Sequence, residues 1–158
     1  MMEPLKIVTY PERILRARCT EINVVTGEER ALFDKMLFTM RCFSGIGLAA
    51  PQIGVEKRMF VCDVGSDVVK MADPHIEKRS GGDRMEEGCL SVPDVSVTVK
   101  RPYKITVVGL NEKGEKAEIK AEGLLARVIQ HEIDHLDGKL IIDYMNIIRR
   151  MKYGIKKR

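Results

Sequence analysis

One stretch of this 158-residue chain limits its possible folds more than any other. From about Ala121 or Glu122 to Leu136 the residues carry a helical pattern, and Gly138 supplies a C-terminal stop. Leu125, Val128, Ile129, Ile133 and Leu136 spread over much of the helix circumference. A helix that is apolar on most sides is buried. Yet this one contains His131-Glu132-Ile133-Asp134-His135. His131 and His135 stand at i and i+4, so their imidazoles project from one face. Unpartnered His and Glu are costly inside a protein. A divalent metal gripped by the two rings removes much of that cost. Glu132, next to the first ring, can reach a metal-bound water without ligating, which is the logic of HExxH sites. Two surface histidines on an ordinary helix would be the plainer reading, but the apolar surroundings argue against it.

The elements around this helix point to an α+β fold with mostly antiparallel strands. Thr26 and Glu29 make a capping-box pattern at the start of a helix over 26–40. Leu32, Met36, Met40 and Phe43 recur at steps of three and four and form its apolar face. Ser44-Gly45-Ile46-Gly47 ends it. Short β-branched segments follow at 58–63, 95–99, 104–110 and 115–121, with a hairpin turn at Asn111-Glu112-Lys113-Gly114. A short third helix is expected from Asp143 towards Tyr153, with Ile147, Ile148 and Met151 on one side. The order is helix, strands, buried helix and tail, which does not alternate as βαβ units do. The length predicts one domain over 1–158, large enough to bury a core without staples.

A hydrolytic metal site needs a third protein ligand and an open position. Metalloproteases with HExxH commonly take a downstream Glu or His, and none follows His135 here. Of the later acids, Asp137 is too near to fold back and Asp143 follows an apparent strand. The ligand therefore comes from upstream, where the candidates are His75, Cys89 or an acidic residue. His75 sits in the polar, loop-like Asp73-Pro74-His75. Cys89 sits in Glu86-Glu87-Gly88-Cys89-Leu90-Ser91-Val92-Pro93, where the glycine permits close backbone approach. As a thiolate, Cys89 would suit a soft or borderline metal.

Gly45-Ile46-Gly47-Leu48-Ala49-Ala50-Pro51-Gln52 is small-residue-rich and ends in one amide side chain. Such a segment lets a substrate backbone lie close, and Gln52 can donate to an oxyanion. A glycine-rich turn in the core is the competing reading. No Gly-Lys-Ser/Thr follows, so this is no Walker A loop.

Charge and composition narrow the function classes. The net charge of +4 is uneven, because residues 139–158 hold seven basic groups and one acid. The body is thus close to neutral, and a general DNA-binding surface is not indicated. A basic tail touching a polyanion remains open. Trp is absent and aromatics are 5%, which argues against a stacking platform for single strands. No apolar run approaches the roughly 18 residues of a membrane span, and the N-terminus lacks a secretory pattern. Cytoplasmic location with reduced thiols is the expectation. Of the four cysteines, Cys42 and Cys62 read as small core residues and Cys19 as a bystander.

Taken together, Gly45–Gln52, Glu87-Gly88-Cys89-Leu90-Ser91 and Gln130-His131-Glu132-Ile133-Asp134-His135 closely resemble the three signature motifs of peptide deformylases. They occur in the family's order and at fitting spacings, and the resemblance runs from about Pro11 to the tail. It implies removal of the formyl group from the formyl-methionine of new polypeptides. It implies that Cys89, His131 and His135 bind the metal and that Glu132 is the catalytic acid/base. Gln52 and the backbone amide of Leu90 would stabilise the oxyanion. Family members are usually ferrous enzymes that also work with nickel or cobalt, and poorly with zinc. Their fold is α+β, with strands around a central helix bearing the two histidines. The peptide would lie extended along the backbone of Ile46, Gly47 and Gly88. Ile46, Leu124 and Val128 would be candidates for the methionine pocket. Glu87 and Arg101 would pair to hold the Cys89 loop. Asp73-Pro74 stands where many relatives show Asn-Pro. The basic tail resembles a C-terminal helix that some bacterial members use at the ribosome.

Overall fold

The structure is a computed structural model and describes residues 1–155. Lys156, Lys157 and Arg158, three of the tail's basic groups, lie outside the described residues. Helix α1 spans Gly27–Cys42 and α2 Gly123–Leu136, while the short α3 spans Ile147–Lys152. The strands are β1 Gly47–Ala49, β2 Met59–Asp63, β3 Val68–Ser80, β4 Asp83–Cys89, β5 Val92–Arg101, β6 Lys104–Leu110 and β7 Lys116–Glu122. Five of them form an antiparallel sheet in the order β1-β2-β3-β6-β7, and β4 and β5 form a separate ribbon. The fold is α+β, with antiparallel sheets and three α-helices among the described residues.

Local chemistry explains where α1 begins. Glu28 N–H donates to Thr26 Oγ1 at 3.3 Å, and Thr26 N–H donates to the Glu29 carboxylate at 2.8 Å. Two orphan amides of the first turn are thereby satisfied. Lys57 Nζ then bridges Glu28 and Glu29, each at 2.8 Å.

The alternation of β2 shows how the core divides. Met59 and Val61 face α1 and pack with Phe33, Met36, Met40 and Leu48. Phe60 and Cys62 face the other way and pack with Met71, Val107, Ile129 and Leu136. Consecutive residues of a strand point to opposite faces, so a strand buried on both faces reads as one apolar run. A third cluster, with Leu15, Val97, Val99, Leu140, Ile141 and Ile142, packs beneath the ribbon. Helix α2 ends where Gly138 takes φ 74°, and a Cβ there would lie 2.4 Å from the Arg16 carbonyl oxygen.

Three sequence expectations change. Asp73-Pro74-His75 is not a loop but part of the 13-residue β3. Pro74 is tolerated because the pairing with β6 shifts register between Ala72 and His75, the kind of bulge at which proline is accepted. Cys42 is exposed at the end of α1, whereas Cys62 and Cys19 are buried. The apolar pattern around residue 42 belongs to a neighbouring helix face. Ile147, Ile148 and Met151 are 72%, 77% and 74% exposed, so the described residues leave most of the apolar side of α3 uncovered. The helix expected from Asp143 is itself split into a 3-10 turn at Ile141–Tyr144 and α3.

Candidate metal centre

The two histidines and Cys89 meet although 41 residues lie between Cys89 and His131. Helix α2 presents both rings on one face, and the end of β4 brings Cys89 opposite them. Cys89 Sγ lies 3.3 Å from His135 Nε2, which lies 3.3 Å from His131 Nε2. All three ligand atoms fall within 4.8 Å of one another. His75 is exposed on β3 and stands outside this group.

The donor chemistry fits a metal. Nitrogen at about 2.1 Å from a tetrahedral ion places two nitrogens about 3.4 Å apart, close to the observed 3.3 Å. His131 Nδ1 faces Glu87 Oε1 at 2.8 Å. A carboxylate only accepts, so Nδ1 carries the hydrogen and Nε2 is the nitrogen left to face a cation. Burial lowers the pKa of His135 and favours its neutral, ligating form.

Glu132 is 3% exposed, and its Oε2 has no hydrogen-bond partner among the described residues. Burial pushes its carboxyl up to about 7, against the lowering influence of His131. A carboxyl poised there can take and return a proton near neutral pH. It packs directly on Gly47: a Cβ at that position would lie 2.4 Å from Glu132 Oε1 and 2.8 Å from Val128 Cγ1.

Glu87 ties this floor together. Arg101 Nε donates to Glu87 Oε2 at 2.7 Å and Nη2 donates to Oε1 at 2.9 Å. Arg127 Nη1 donates to the same Oε2 at 2.6 Å. Burial works to raise the Glu87 carboxyl, but Arg101 and His131 outweigh it and hold it at about 2. Arg127 was not anticipated from the sequence. Its signal was there, since Arg127 and His131 are i and i+4 on a largely apolar helix, and a buried arginine implies a buried anion. Ser91 was also missed. It is fully buried and accepts from Gln52 Nε2 at 3.2 Å. Gln52 Oε1 accepts from Ala49 N–H at 2.9 Å, which aims Nε2 at Cys89 Sγ, 3.6 Å away.

A cleft of 510 Å³ opens over this floor. Its lining includes Ile46, Gly47, Gln52, Gly88, Leu90, Leu124, Val128, His131 and Glu132. Ile46 and Leu124 are 46% and 44% exposed at the mouth, and Val128 is buried.

Two histidines on one helix and a cysteine from a facing strand, beside a buried glutamate and below an apolar cleft, are an arrangement that metal-dependent hydrolases use. The comparisons with known proteins narrow the class. The family described as polypeptide deformylase matches residues 4–151. A peptide deformylase of Carboxydothermus hydrogenoformans is 46% identical over 150 residues, covering 94% of this chain and 99% of that protein. The crystal structure of a peptide deformylase from Legionella pneumophila superposes with a TM-score of 0.91 at 39% identity, covering 96% of this chain and 92% of that one. A class I type b peptide deformylase from Acinetobacter baumannii, solved with Met-Ala-Ser bound, gives a TM-score of 0.86 at 31% identity, covering 92% and 100%. The chain belongs to the polypeptide deformylase family, metal-dependent enzymes that deformylate nascent peptides.

Proposed function

We propose that Cys89, His131 and His135 hold one divalent cation and that Glu132 is the acid/base of formyl removal from N-formylmethionyl peptides. The observation that carries this reading is the close triangle of Sγ and two Nε2 atoms beside a buried, unpartnered carboxyl. A bound cation there supplies Lewis acidity, polarising the formyl carbonyl and acidifying water. Glu132 takes the proton of the attacking water and returns it to the departing amine. Gln52 Nε2 and the Leu90 backbone N–H donate to the oxygen on which charge builds. To do so, Gln52 exchanges its contact with Cys89 Sγ for the substrate oxygen and keeps its bond to Ser91. The floor is narrow because Glu132 and Val128 press on Gly47, so a carbon bearing only hydrogen enters more easily than a bulkier acyl carbon.

The methionine side chain lies against Ile46, Leu124 and Val128, with the peptide extended along Gly47 and Gly88. The Acinetobacter relative was solved with Met-Ala-Ser bound, which supports a peptide that begins with methionine as the ligand class. The metal is Fe²⁺, with Ni²⁺, Co²⁺ or Zn²⁺ able to substitute, since a Cys/His₂ set admits all four. Residues 1–158 act as one catalytic domain with the HExxH helix at its centre. The protein works in a bacterial-type cytoplasm, where its basic tail can contact the ribosome. No helix among the described residues is long and apolar enough to cross a membrane.

The test is formate release from a formyl-Met peptide by anaerobically purified protein, with bound metal measured in parallel. Stoichiometric metal and formate release are expected, both lost in Cys89→Ala. Cleavage of internal peptide bonds without formate release would reject the reading in favour of an endopeptidase.

A further inference from the structure

Beyond the cleft, a chain of short hydrogen bonds runs from the metal cluster to the segment that follows α2. His131 Nδ1 meets Glu87 Oε1 at 2.8 Å, and Arg101 clasps Glu87 with two parallel bonds. The third guanidinium nitrogen, Arg101 Nη1, turns away and donates to Asp134 Oδ2 at 2.9 Å and to Tyr144 Oη at 3.3 Å. Tyr144 Oη–H donates to the same Asp134 oxygen at 2.6 Å. The Tyr144 ring is flanked by cations, with Lys139 Nζ 4.1 Å and Arg101 Cζ 5.1 Å from its centroid. Its backbone is anchored as well. Ile141 and Ile142 are buried, and Asp143 receives Arg16 Nη1 at 2.7 Å and Leu140 N–H at 2.9 Å.

We propose that Tyr144 is a positioning residue for the metal centre, acting through Asp134, Arg101 and Glu87 on the ring of His131. This rests on the assignment of His131 as a ligand. A guanidinium is planar and rigid. Once Nη1 is fixed, the directions of Nε and Nη2 are fixed too, and with them the plane of the Glu87 carboxylate. That plane decides where His131 Nδ1–H points, and so where Nε2 aims its lone pair. Asp134 alone holds Nη1 by one bond and is itself partly exposed. The phenol closes a three-membered contact with Asp134 and Arg101, so the guanidinium cannot rock about Glu87. Arg127 also holds Glu87 Oε2 but makes no bond to Oε1, the atom facing His131.

The test uses Co²⁺ as probe and Tyr144→Phe as variant, which keeps the ring and removes the hydroxyl. Co²⁺ affinity is measured by competition with a chelator, and the visible spectrum of the Co²⁺ protein reports ligand geometry. Disturbing the outer hydrogen bonds of a ligating histidine typically weakens metal binding about 10–100-fold. We expect about tenfold here, at the lower end because Tyr144 is further out, with a shifted spectrum and lower kcat at unchanged KM. In an Asp134→Ala background the same change has a smaller effect, because only the 3.3 Å contact between Arg101 Nη1 and Tyr144 Oη is left to lose. Ile141→Val, in the neighbouring core, lowers thermal stability without moving Co²⁺ affinity or the spectrum. A parent protein that takes up no Co²⁺ overturns the metal assignment and this inference with it. A parent that binds one Co²⁺, with Tyr144→Phe binding it as tightly and with the same spectrum, overturns this inference alone. So does a loss of affinity that Ile141→Val reproduces at equal thermal destabilisation.

Discussion

The floor and the mouth of the cleft are built on opposite principles. At the floor, Glu87, Arg101, Arg127 and Glu132 are each less than 8% exposed, and Glu87 is bonded from three directions. At the mouth, Ile46, Met85 and Leu124 are 44–46% exposed, with only dispersion and water around them. Buried polar networks lose heavily when one member is removed, because the others stay desolvated and unpaired. Exposed apolar side chains lose only the contact area they make with a ligand. The comparison therefore predicts an abrupt response to substitution at the floor and a graded one at the mouth.

The largest effect should come from Glu132→Gln, which keeps the shape of the side chain and removes its basicity. General acid–base catalysis is worth about 10²–10⁴-fold, and a loss of that size in kcat with little change in KM is expected. Formate release at the parent's rate would remove Glu132 from the chemistry. Next comes Glu87→Gln, which strips the charge facing two arginines and His131. Metal affinity should fall about 10–100-fold, and the melting temperature should drop because Arg101 and Arg127 are left buried against a neutral amide. A Glu87→Gln protein that kept both its metal affinity and its stability would show the floor to be as forgiving as the mouth.

Leu124→Ala tests the other half. A methylene in an apolar pocket is worth roughly 1–3 kcal/mol at most, and Leu124 is already half exposed. A several-fold rise in KM for a formyl-Met peptide is expected, with kcat, metal content and melting temperature unchanged. Measuring the same variant with formyl-norleucine and formyl-leucine substrates sharpens the point, since a loosely built mouth should rank them closely.

The two regions were also unequally visible in the sequence. The shared face of His131 and His135 follows from helical spacing alone, and the burial of α2 follows from its apolar residues. The capping box at Thr26 and the strand at Lys104–Leu110 are local patterns, and they appear in the structure where local rules place them. The partners of Glu87 are not local. Arg127 and His131 lie 40 and 44 residues from it, and only the fold decides which buried anion meets which buried cation. The β3 strand was hidden for a related reason. Asp-Pro reads as a turn, but the sheet absorbs it with a bulge once β2 and β6 supply partners on both sides. Cys42 was misjudged because an apolar neighbour in sequence is not a neighbour in space.

The smallest expected effect supplies a baseline away from the cleft. Glu29 has its carboxyl lowered from 4.5 to about 2 by the ammonium of Lys57 and by the hydroxyl and amide of Thr26. A depressed carboxyl binds its proton more weakly folded than unfolded, so it favours the folded state above its unfolded value of about 4.5. That contribution shrinks as the pH falls below 4.5 and is gone once it passes the folded value of about 2. Glu29→Gln should therefore lower the melting temperature slightly near neutral pH, and the difference from the parent should close between about pH 4.5 and pH 2. Metal content and kcat should not move, because the cap lies on the far side of the sheet from Glu132. Melting curves over that pH range check this directly. A gap that persists below pH 2 would mean the substitution acts through packing at the cap rather than through its charge. Loss of metal in the same variant would mean that the floor is coupled to a surface cap, and that its response is a property of the whole fold rather than of its own dense bonding.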